Sequence, residues 1–381
     1  MILFSDAELE MFTRQVRSFA ANRLAAHYQS DDRAGRLRPQ VVADLAEMGL
    51  LGLRVDERHG GQSASCVATG VACEEVGKAD INATYLIVNA VLTAEIVNAG
   101  GTEIQRQEML PPLAAGEVIP AICLTEPEHG SDAASLGLRA ERDGSGWRLT
   151  GEKTSITFGV DATTAVVFAR TGGEGARGVT AFYVTLDDRY LERAAFSDLG
   201  GRSIGRAAMH FDGHPASDET RVGEVGRGFV EVMKGFDYSR ALIGLSCLGA
   251  AQASLQEALD YAGQRKAFGQ PIARFQGVTF PLVESLTQVR AARLLCYDAL
   301  ARRDAGMAHA VEANMAKWWA PKLAADAAHQ ALLTFGHVGY SDELPLGQRL
   351  RDIIGLEIGD GTAQIAKLVV ARHLLGRDNA P

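Results

Sequence analysis

Cysteine is scarce and unpatterned in this sequence. The five cysteines are scattered through 381 residues, and no two of them form a Cys-x-x-Cys pair. A dispersed, odd-numbered set is typical of buried thiols in a reducing compartment, and it argues against a disulfide framework or a structural zinc site. The nine histidines show no metal-ligand spacing either. The sequence therefore predicts a cytoplasmic protein without a metal.

Long apolar runs and basic blocks are also missing. No apolar run approaches the length of about 20 residues that a membrane-spanning helix needs, and the first residues lack the basic and apolar segments of a signal peptide. The net charge is −9 without a Lys/Arg-rich block, which argues against nucleic-acid binding. The remaining composition, 47% hydrophobic and 22% charged, is that of a globular chain with room for two or three domains.

The chain changes character twice along its length. Residues 1–118 carry helical periodicity, residues 119–227 alternate short β-branched runs with turn signals, and residues 228–381 are again helical. Asp143-Gly144-Ser145-Gly146 is typical of a hairpin connection. Three later stretches of about 30 residues favour helices that lie side by side in a bundle. We expect an α+β protein with an N-terminal helical domain, a middle β-barrel or sandwich and a C-terminal four-helix bundle.

One segment at the start of the β-rich part is unusual for its chemistry. Residues 124–132 follow a predicted strand and combine polar side chains with Gly130. Such a loop presents backbone N–H groups and hydroxyls, which suit the polar edges of a cofactor. From chemistry alone, an ordinary turn is an equally open interpretation.

The same segment, read from Thr125 to Asp132, resembles the Thr-Glu-Pro-x-x-Gly-Ser-Asp signature of acyl-CoA dehydrogenases. The likeness covers nearly the whole chain, because further motifs follow in the family's order: Gly151–Thr157, Phe236–Arg240, Gln264–Gly269, Arg351-Asp352, Gly361–Ile365 and Ala371–Leu375. Neither G-x-G-x-x-G nor a Walker P-loop is present, which is consistent with a family that does not hold FAD on a Rossmann fold.

The resemblance implies FAD as cofactor and assigns its contacts by position. The flavin ring is expected against Thr125 with its strand neighbours on one side and against a second loop on the other. The adenosine-pyrophosphate part of FAD is expected against Thr362 and Gln364, late in the chain. A further set of residues should reach the FAD of a neighbouring subunit. These positions are Ile122, Cys123, Leu124, Thr125, Gly130, Ser131, Ser155, Ile156, Thr157, Thr362 and Gln364, and for the neighbour's FAD Arg265, Phe268, Gln276 and Gly336.

The resemblance also implies a CoA thioester substrate. Its expected contacts are Ser131, Phe236, Asp237, Gly361 and Arg240, the last near the adenine-ribose-phosphate end of CoA.

Asp360 stands where the family usually has a glutamate base. A carboxylate within hydrogen-bond reach can remove the α-proton of a thioester while the β-hydrogen leaves as hydride to the flavin. Two alternatives stay open from the residues alone. Asp360 precedes Gly-Thr-Ala-Gln and could be a helix N-cap, and Glu357 is a possible alternative base.

Four departures from the family pattern bear on the substrate. Gly359-Asp360 replaces the usual Tyr-Glu, which shortens the base by one methylene and enlarges the acyl pocket; we therefore expect a branched or alicyclic acyl group, such as cyclohexanecarboxyl-CoA. Ser155 replaces a common tryptophan over the flavin. Glu128-His129 replaces small residues at the mouth of the site, and Leu333–His337 replaces a frequent Gln-x-x-Gly-Gly.

Other functions remain as alternatives. An aspartate base also occurs in nitroalkane oxidases, and an enoyl-CoA reductase or an enzyme acting on acyl-carrier protein would use the same machinery. A non-catalytic flavoprotein that associates with DNA is disfavoured by the acidic balance. The resemblance further implies a homotetramer or homodimer and an electron-transfer flavoprotein as partner, with no nucleic acid and no membrane.

Overall fold

The computed structural model describes residues 6–381, apart from the side chains of residues 231 and 234. Its first part is helical. The helices are α1 (Ala7–Arg23), α2 (Tyr28–Ala34), α3 (Pro39–Glu47), α4 (Cys66–Ala79), α5 (Thr84–Gly100) and α6 (Glu103–Ala114). Helix α5 is apolar on nearly every side and is buried accordingly, as a helix without a polar face requires.

The strands form one eight-stranded sheet from the middle of the chain and a separate two-stranded ribbon. The strands of the sheet are β1 (Pro120–Cys123), β2 (Arg139–Asp143), β3 (Gly146–Ile156), β4 (Thr164–Arg170), β5 (Val179–Thr185), β6 (Leu191–Ala195), β7 (Ala207–Ala216) and β8 (Arg221–Val222), and the ribbon, β9 (Lys266–Ala267) with β10 (Gln270–Pro271), comes later in the chain. Strands β2 and β3 form the predicted hairpin, with Asp143 opposite Gly146.

Strand pairing corrects the barrel interpretation of this part. The order is β6-β7-β3-β2-β4-β5-β8, with β1 pairing in parallel with β4, and the end strands β6 and β8 do not meet. The sheet is nevertheless covered on both faces at its centre. In β4, Val166 and Phe168 pack towards the helices, whereas Ala165, Val167 and Ala169 pack into the sheet's own core. This explains why β4 is a continuous apolar run rather than an alternating one.

The last part of the chain is again helical. Its helices are α7 (Gly228–Gln264), α8 (Gln276–Asp304), α9 (Ala310–Phe335), α10 (Leu346–Ile358) and α11 (Ala363–Leu375). Helix α7 is central and packs against α4, α5, α8, α9 and α10. Its crossing with α4 is close, because a Cβ at Gly249 would lie 2.3 Å from the carbonyl oxygen of Glu74. Among the described residues, no helix combines the length and apolarity that crossing a membrane requires.

A buried carboxylate, Asp352 on α10, connects three parts of the fold. It accepts hydrogen bonds from the Tyr28 hydroxyl at 2.6 Å, the Asn82 amide at 3.0 Å and the backbone N–H of Gly201 at 2.6 Å. Tyr28 and Asn82 belong to the N-terminal helical part, and Gly201 belongs to the loop between β6 and β7. These contacts hold the loop between β6 and β7 against the N-terminal helical part and α10.

A second buried carboxylate, Asp80, lies close to Asp352. Burial and, to a smaller degree, the Asp352 carboxylate together raise the pKa of Asp80 to about 7, against the hydrogen bonds from the backbone N–H groups of Ala83 and Asn82. Burial likewise raises the pKa of Asp352 to about 6. Both groups therefore bind protons more tightly in the folded protein than in the unfolded chain, where an aspartate has a pKa of about 3.9.

We predict that this pair makes the protein less stable as the pH rises. The stabilisation is complete below about pH 4 and is lost as the pH rises through the folded-state values of about 6 and 7. Thermal unfolding followed between pH 4 and 7.5 should show a smaller decline for Asp80→Asn than for the parent. The exposed surface residue Asp326, substituted in the same way, is the control and should leave the decline unchanged. An identical decline in Asp80→Asn and the parent would contradict the prediction.

A buried ion pair joins two of the motifs noted in the sequence. Lys153 on β3 is fully buried, and its ammonium donates to Glu126 Oε1 at 2.7 Å and to the carbonyl of Leu124 at 3.0 Å. Glu126 also accepts from the backbone N–H groups of Gly137 and Leu138. Burial alone would raise the pKa of Glu126, but Lys153 and the two N–H donors lower it overall. The pair therefore fixes the loop after β1 to β3.

Glu126→Gln is predicted to destabilise the protein by about 3–5 kcal/mol, because it leaves the Lys153 ammonium buried without its counter-charge. The loop at 125–138 should also exchange its amide hydrogens faster. Chemical denaturation and hydrogen exchange measure the two effects. Glu128→Gln is the matched control, since Glu128 lies exposed in the same loop. Equal denaturation midpoints for the two variants would disprove this role of the pair.

Candidate active site

The two loops expected to flank a flavin are neighbours. The backbone N–H of Thr154 donates to the carbonyl of Thr125 at 2.9 Å, which holds the end of β3 beside the loop after β1. At the end of β1, Ile122 and Leu124 pack towards the helices, whereas the Cys123 side chain lies in the sheet core, 3.8 Å from the sulfur of Met209. Cys123 can therefore offer a ligand only its backbone.

The polar end of the first loop is open to solvent. Gly130 and Ser131 are exposed and Thr125 is half-buried. Reciprocal backbone hydrogen bonds between Glu126 and His129 close a tight turn between them. A rigid turn on a buried ion pair gives these polar groups fixed positions, which a ligand-binding loop needs.

The second loop has an unusual backbone. Ser155 and Phe158 both have φ of +58°, in the left-handed region that non-glycine residues rarely adopt. Ser155 is exposed, Ile156 is buried in the sheet core and Thr157 is half-buried. Left-handed residues of this kind concentrate at functional sites, where the surrounding structure enforces them.

Arg206 is in direct contact with Ser155. Its guanidinium donates to Ser155 Oγ at 3.1 Å, forms an ion pair with Asp198 and lies over the ring of Phe196, 4.8 Å from its centroid. Where the family commonly has a tryptophan, this chain therefore has a serine with an arginine against it.

Asp360 lies between α10 and α11, opposite α7. It is half-buried, its φ is +60°, and its Oδ2 accepts a hydrogen bond of 2.6 Å from the Ser239 hydroxyl. Burial raises the pKa of the Asp360 carboxyl above its ordinary value, and the cations of Arg240 and Lys317 together with the Ser239 hydroxyl oppose that effect. Carboxylates whose pKa is shifted in this way by burial and specific charged partners are common at functional sites, which makes Asp360 a candidate.

Two buried cations flank Asp360. Lys317 on α9 donates to the carbonyls of Leu356 and Gly361, both at 2.9 Å, and so joins the segments before and after Asp360. Burial lowers the pKa of Lys317, and the negative charge of Asp360 opposes this. Arg240 donates to Asp237 at 2.9 Å. Arg240 Nε and Asn314 Oδ1 are buried without a hydrogen-bond partner among the described residues, whereas buried polar groups are usually hydrogen-bonded.

Arg240 lies beside the candidate base. It is buried, and its guanidinium would lie 3.7 Å from a Cβ at Gly361, next to Asp360. Its expected contact with the adenine-ribose-phosphate end of CoA stays a prediction. Asp237 is half-buried and bonded to Arg240 and Asn314, and Phe236 is half-buried beside it.

The N-cap of α11 is Thr362, so the interpretation of Asp360 as that helix's cap is wrong. The Thr362 hydroxyl accepts from the backbone N–H of Ile365, and the first turn of α11 contains no acidic residue. Gln364 is exposed in this turn. A helix N-terminus with unpaired N–H groups and no acidic residue in its first turn suits a phosphate group.

The remaining predicted cofactor residues lie at the other end of the bundle. Arg265 and Gln276 are exposed at the end of α7 and the start of α8, and Gly336 is exposed at the end of α9. The Phe268 side chain is 95% exposed, with a backbone φ of +51°. About 25 residues of α7 separate this group from Ser239, or roughly 35–40 Å at 1.5 Å per residue. The structure therefore does not bring these residues to Asp360.

These observations fit FAD. Two rigid loops with polar, partly left-handed backbone adjoin each other, and an uncrowded helix N-terminus follows Asp360 by two residues. Sequence reasoning missed four residues that hold the two loops and Asp360 in place: Lys153, Arg206, Ser239 and Lys317. A signal existed for Lys317, since it is one of few charges in an alanine-rich apolar helix. No local signal could pair Ser239 with Asp360 across 121 residues.

Comparison with known proteins gives a family for this arrangement. Three family profiles match in order: the acyl-CoA dehydrogenase N-terminal domain at residues 6–117, the middle domain at 121–214 and the C-terminal domain at 226–375. Together they span most of the chain.

Individual relatives agree. The probable acyl-CoA dehydrogenase FadE25 of Mycobacterium tuberculosis is 34% identical over 364 residues, 94% of this chain and 93% of that protein. The (2S)-methylsuccinyl-CoA dehydrogenase of Cereibacter sphaeroides is also 34% identical, over 97% of this chain and 70% of that protein. The structure of butyryl-CoA dehydrogenase from Megasphaera elsdenii superposes with a TM-score of 0.94 at 28% identity, covering 98% of this chain and 99% of that one. The chain is therefore an oxidoreductase of the FAD-dependent acyl-CoA dehydrogenase family.

Proposed function

We propose that this enzyme removes the α-proton of an acyl-CoA thioester with Asp360 during α,β-dehydrogenation. The observation that carries the proposal is the Asp360 carboxylate itself, half-buried and hydrogen-bonded between two buried cations, with unpartnered polar atoms beside it. FAD supplies the hydride acceptor when bound. We assign Thr125, Ser155 and Thr157 to its ring and Thr362 with Gln364 to its pyrophosphate.

The chain's own groups have distinct tasks in this proposal. Asp360 takes the α-proton. Its raised pKa makes it a stronger base than an ordinary aspartate, and brings that pKa closer to the pH at which the enzyme works. Arg240 and Lys317 keep the carboxylate ionised despite its burial. Ser131, Phe236, Asp237 and Gly361 are proposed to contact the thioester and the CoA chain, and the first of these is open to solvent at the mouth of the site.

The acyl group is proposed to be branched or alicyclic at its α or β carbon. Gly359 brings no side chain to the space beside Asp360, and a Cβ there would meet its nearest atom, the carbonyl oxygen of Gly355, at an ordinary 3.5 Å. The missing aromatic residue is thus not a requirement of the backbone, and its space is available to a substrate. A relative named for methylsuccinyl-CoA, a branched thioester, supports this direction.

Homo-oligomerisation would complete the cofactor site. Arg265, Phe268 and Gln276 are exposed far from Asp360, so FAD bound near Asp360 in one subunit would need a second copy to reach them. Exposed apolar side chains at Phe280 and Leu333 surround the same end of the bundle. We therefore propose a dimer or tetramer, and we place it in the cytoplasm with an electron-transfer flavoprotein as electron acceptor. The five cysteines are buried and free, which supports that compartment.

Asp360→Asn should slow anaerobic flavin bleaching by an acyl-CoA by about 10²–10⁴-fold, the usual contribution of a general base. In the parent, the rate should fall as the pH falls through the raised pKa of Asp360, since only the ionised form accepts a proton. Glu357→Gln tests the alternative base and should bleach at the parental rate. Parental bleaching by Asp360→Asn would remove Asp360 from the mechanism, and bleaching by nitroethane alone would favour the oxidase alternative.

Gly359→Tyr should reverse the substrate preference. We expect the parent to turn over isobutyryl-CoA and cyclohexanecarboxyl-CoA faster than butyryl-CoA and octanoyl-CoA. The added ring should lower the rates with the two wider substrates by about 10-fold or more relative to butyryl-CoA, as expected for lost pocket volume. Gly355→Tyr, where a side chain meets open space one turn earlier, is the control for bulk. A parent that prefers octanoyl-CoA would exclude the wide-substrate proposal.

A further inference from the structure

Ser239 is the one side chain that hydrogen-bonds Asp360 among the described residues. Ser239 lies on α7, is buried, and its Oγ is 2.6 Å from Asp360 Oδ2. That distance is typical of a hydroxyl donating to an ionised carboxylate, which is stronger than a bond between neutral groups. The carbonyl of Phe236 lies farther from the same hydroxyl, at 3.3 Å.

Other buried serines of α7 behave differently. Ser246 and Ser254 donate to the carbonyls of Leu242 and Ala250, four residues earlier in the helix, at 3.1 and 3.0 Å. This is the ordinary way for a helical serine to satisfy its hydroxyl. Ser239 has the same option within its own helix but is directed to a residue 121 positions away. The contact is therefore specific to the environment of Asp360.

The contact makes the two carboxylate oxygens of Asp360 unequal. Oδ2 is engaged by Ser239, whereas Oδ1 has no hydrogen bond to a described residue. The side chain of aspartate is short and has few rotamers. A hydrogen bond that holds Oδ2 therefore also fixes the direction in which Oδ1 points. The backbone is held as well, because Lys317 bonds to the carbonyls of Leu356 and Gly361 around it.

We propose that Ser239 is a positioning residue for the base, holding Asp360 Oδ2 so that Oδ1 receives the α-proton. The inference rests on the proposed function of Asp360. The proton moves from the substrate α-carbon to Oδ1, the electron pair of the broken C–H bond stays with the substrate, and Ser239 keeps its own proton. Ser239 also stabilises the ionised carboxylate and so sets the pH at which the base becomes active.

Charged groups around Asp360 also affect its protonation. Asp237 and Arg240 face it from α7, Lys317 faces it from α9, and Glu357 on α10 interacts with Lys317. Burial of the carboxylate favours its protonated form, and Arg240, Ser239 and Lys317 favour the ionised form. Removing the hydroxyl alone leaves the four charged neighbours in place, so the resulting change reports on the hydrogen bond.

The test follows the titration of Asp360 in the FAD-loaded, substrate-free enzyme. The infrared carbonyl stretch of the protonated carboxyl is recorded against pH and assigned by its absence in Asp360→Asn. Ser239→Ala should move the titration midpoint up by about one pH unit, given the usual strength of a hydrogen bond to a charged group. The acid limb of kcat/KM for isobutyryl-CoA should move up with it. Ser239→Thr, which retains a hydroxyl, should keep the parental midpoint.

Ser246→Ala is the matched control, a buried serine two turns along the same helix, and should leave the midpoint unchanged. If Ser239→Ala does not fold, Ser239→Cys, a weaker donor, should give a smaller upward movement. A parental midpoint in Ser239→Ala, or in Ser239→Cys when the alanine variant does not fold, overturns the inference. The proposed function fails separately, through parental flavin bleaching by Asp360→Asn, whatever the infrared titration shows.

Discussion

The three hydrogen bonds to Asp352 hold the parts of this enzyme in a common frame. Tyr28 and Asn82 bind the carboxylate from the N-terminal helices, Gly201 binds it from the sheet, and α10 carries it. The loops of the sheet and the base after α10 belong to different parts of the chain, so their relative position depends on contacts of this kind. Asp352 thus supports the site without touching it. Its burial beside Asp80 places two carboxyl groups close together inside the protein.

Much of the architecture could be predicted from periodicity. The long helices α7, α8 and α9 begin and end within about two residues of the three predicted stretches, 229–265, 276–305 and 308–335. These stretches could be recognised because they contain no proline apart from Pro281 and Pro321. The hairpin connection at 143–146 was predicted, but strand β2 before it carries no apolar signal of its own, since its sequence Arg-Ala-Glu-Arg-Asp is mostly charged. It is a strand because the hairpin with β3 places it there. Sheet closure was also mispredicted, as strand order is a property of pairing rather than of any one strand.

The candidate site shows the same division between local and distant information. Motif positions located Thr125, Ser155 and Asp360, and the structure puts the first two side by side. Their supports are polar contacts between residues far apart in sequence, such as Lys153 with Glu126 and Ser239 with Asp360. A buried lysine or serine carries no local mark of its partner. The capping interpretation of Asp360 failed for a local reason instead, because Thr362 two residues later caps the helix N-terminus.

The left-handed backbone of Asp360 gives a second reason for an aspartate at this position. Aspartate and asparagine tolerate this conformation better than most residues, since a compact polar side chain can bond locally. Glutamate, the usual base of the family, has a longer flexible chain and no such advantage. The identity of the base and the conformation of its loop are therefore coupled. Exchange between the two acids during divergence would require the peptide backbone, and not only the pocket, to adapt.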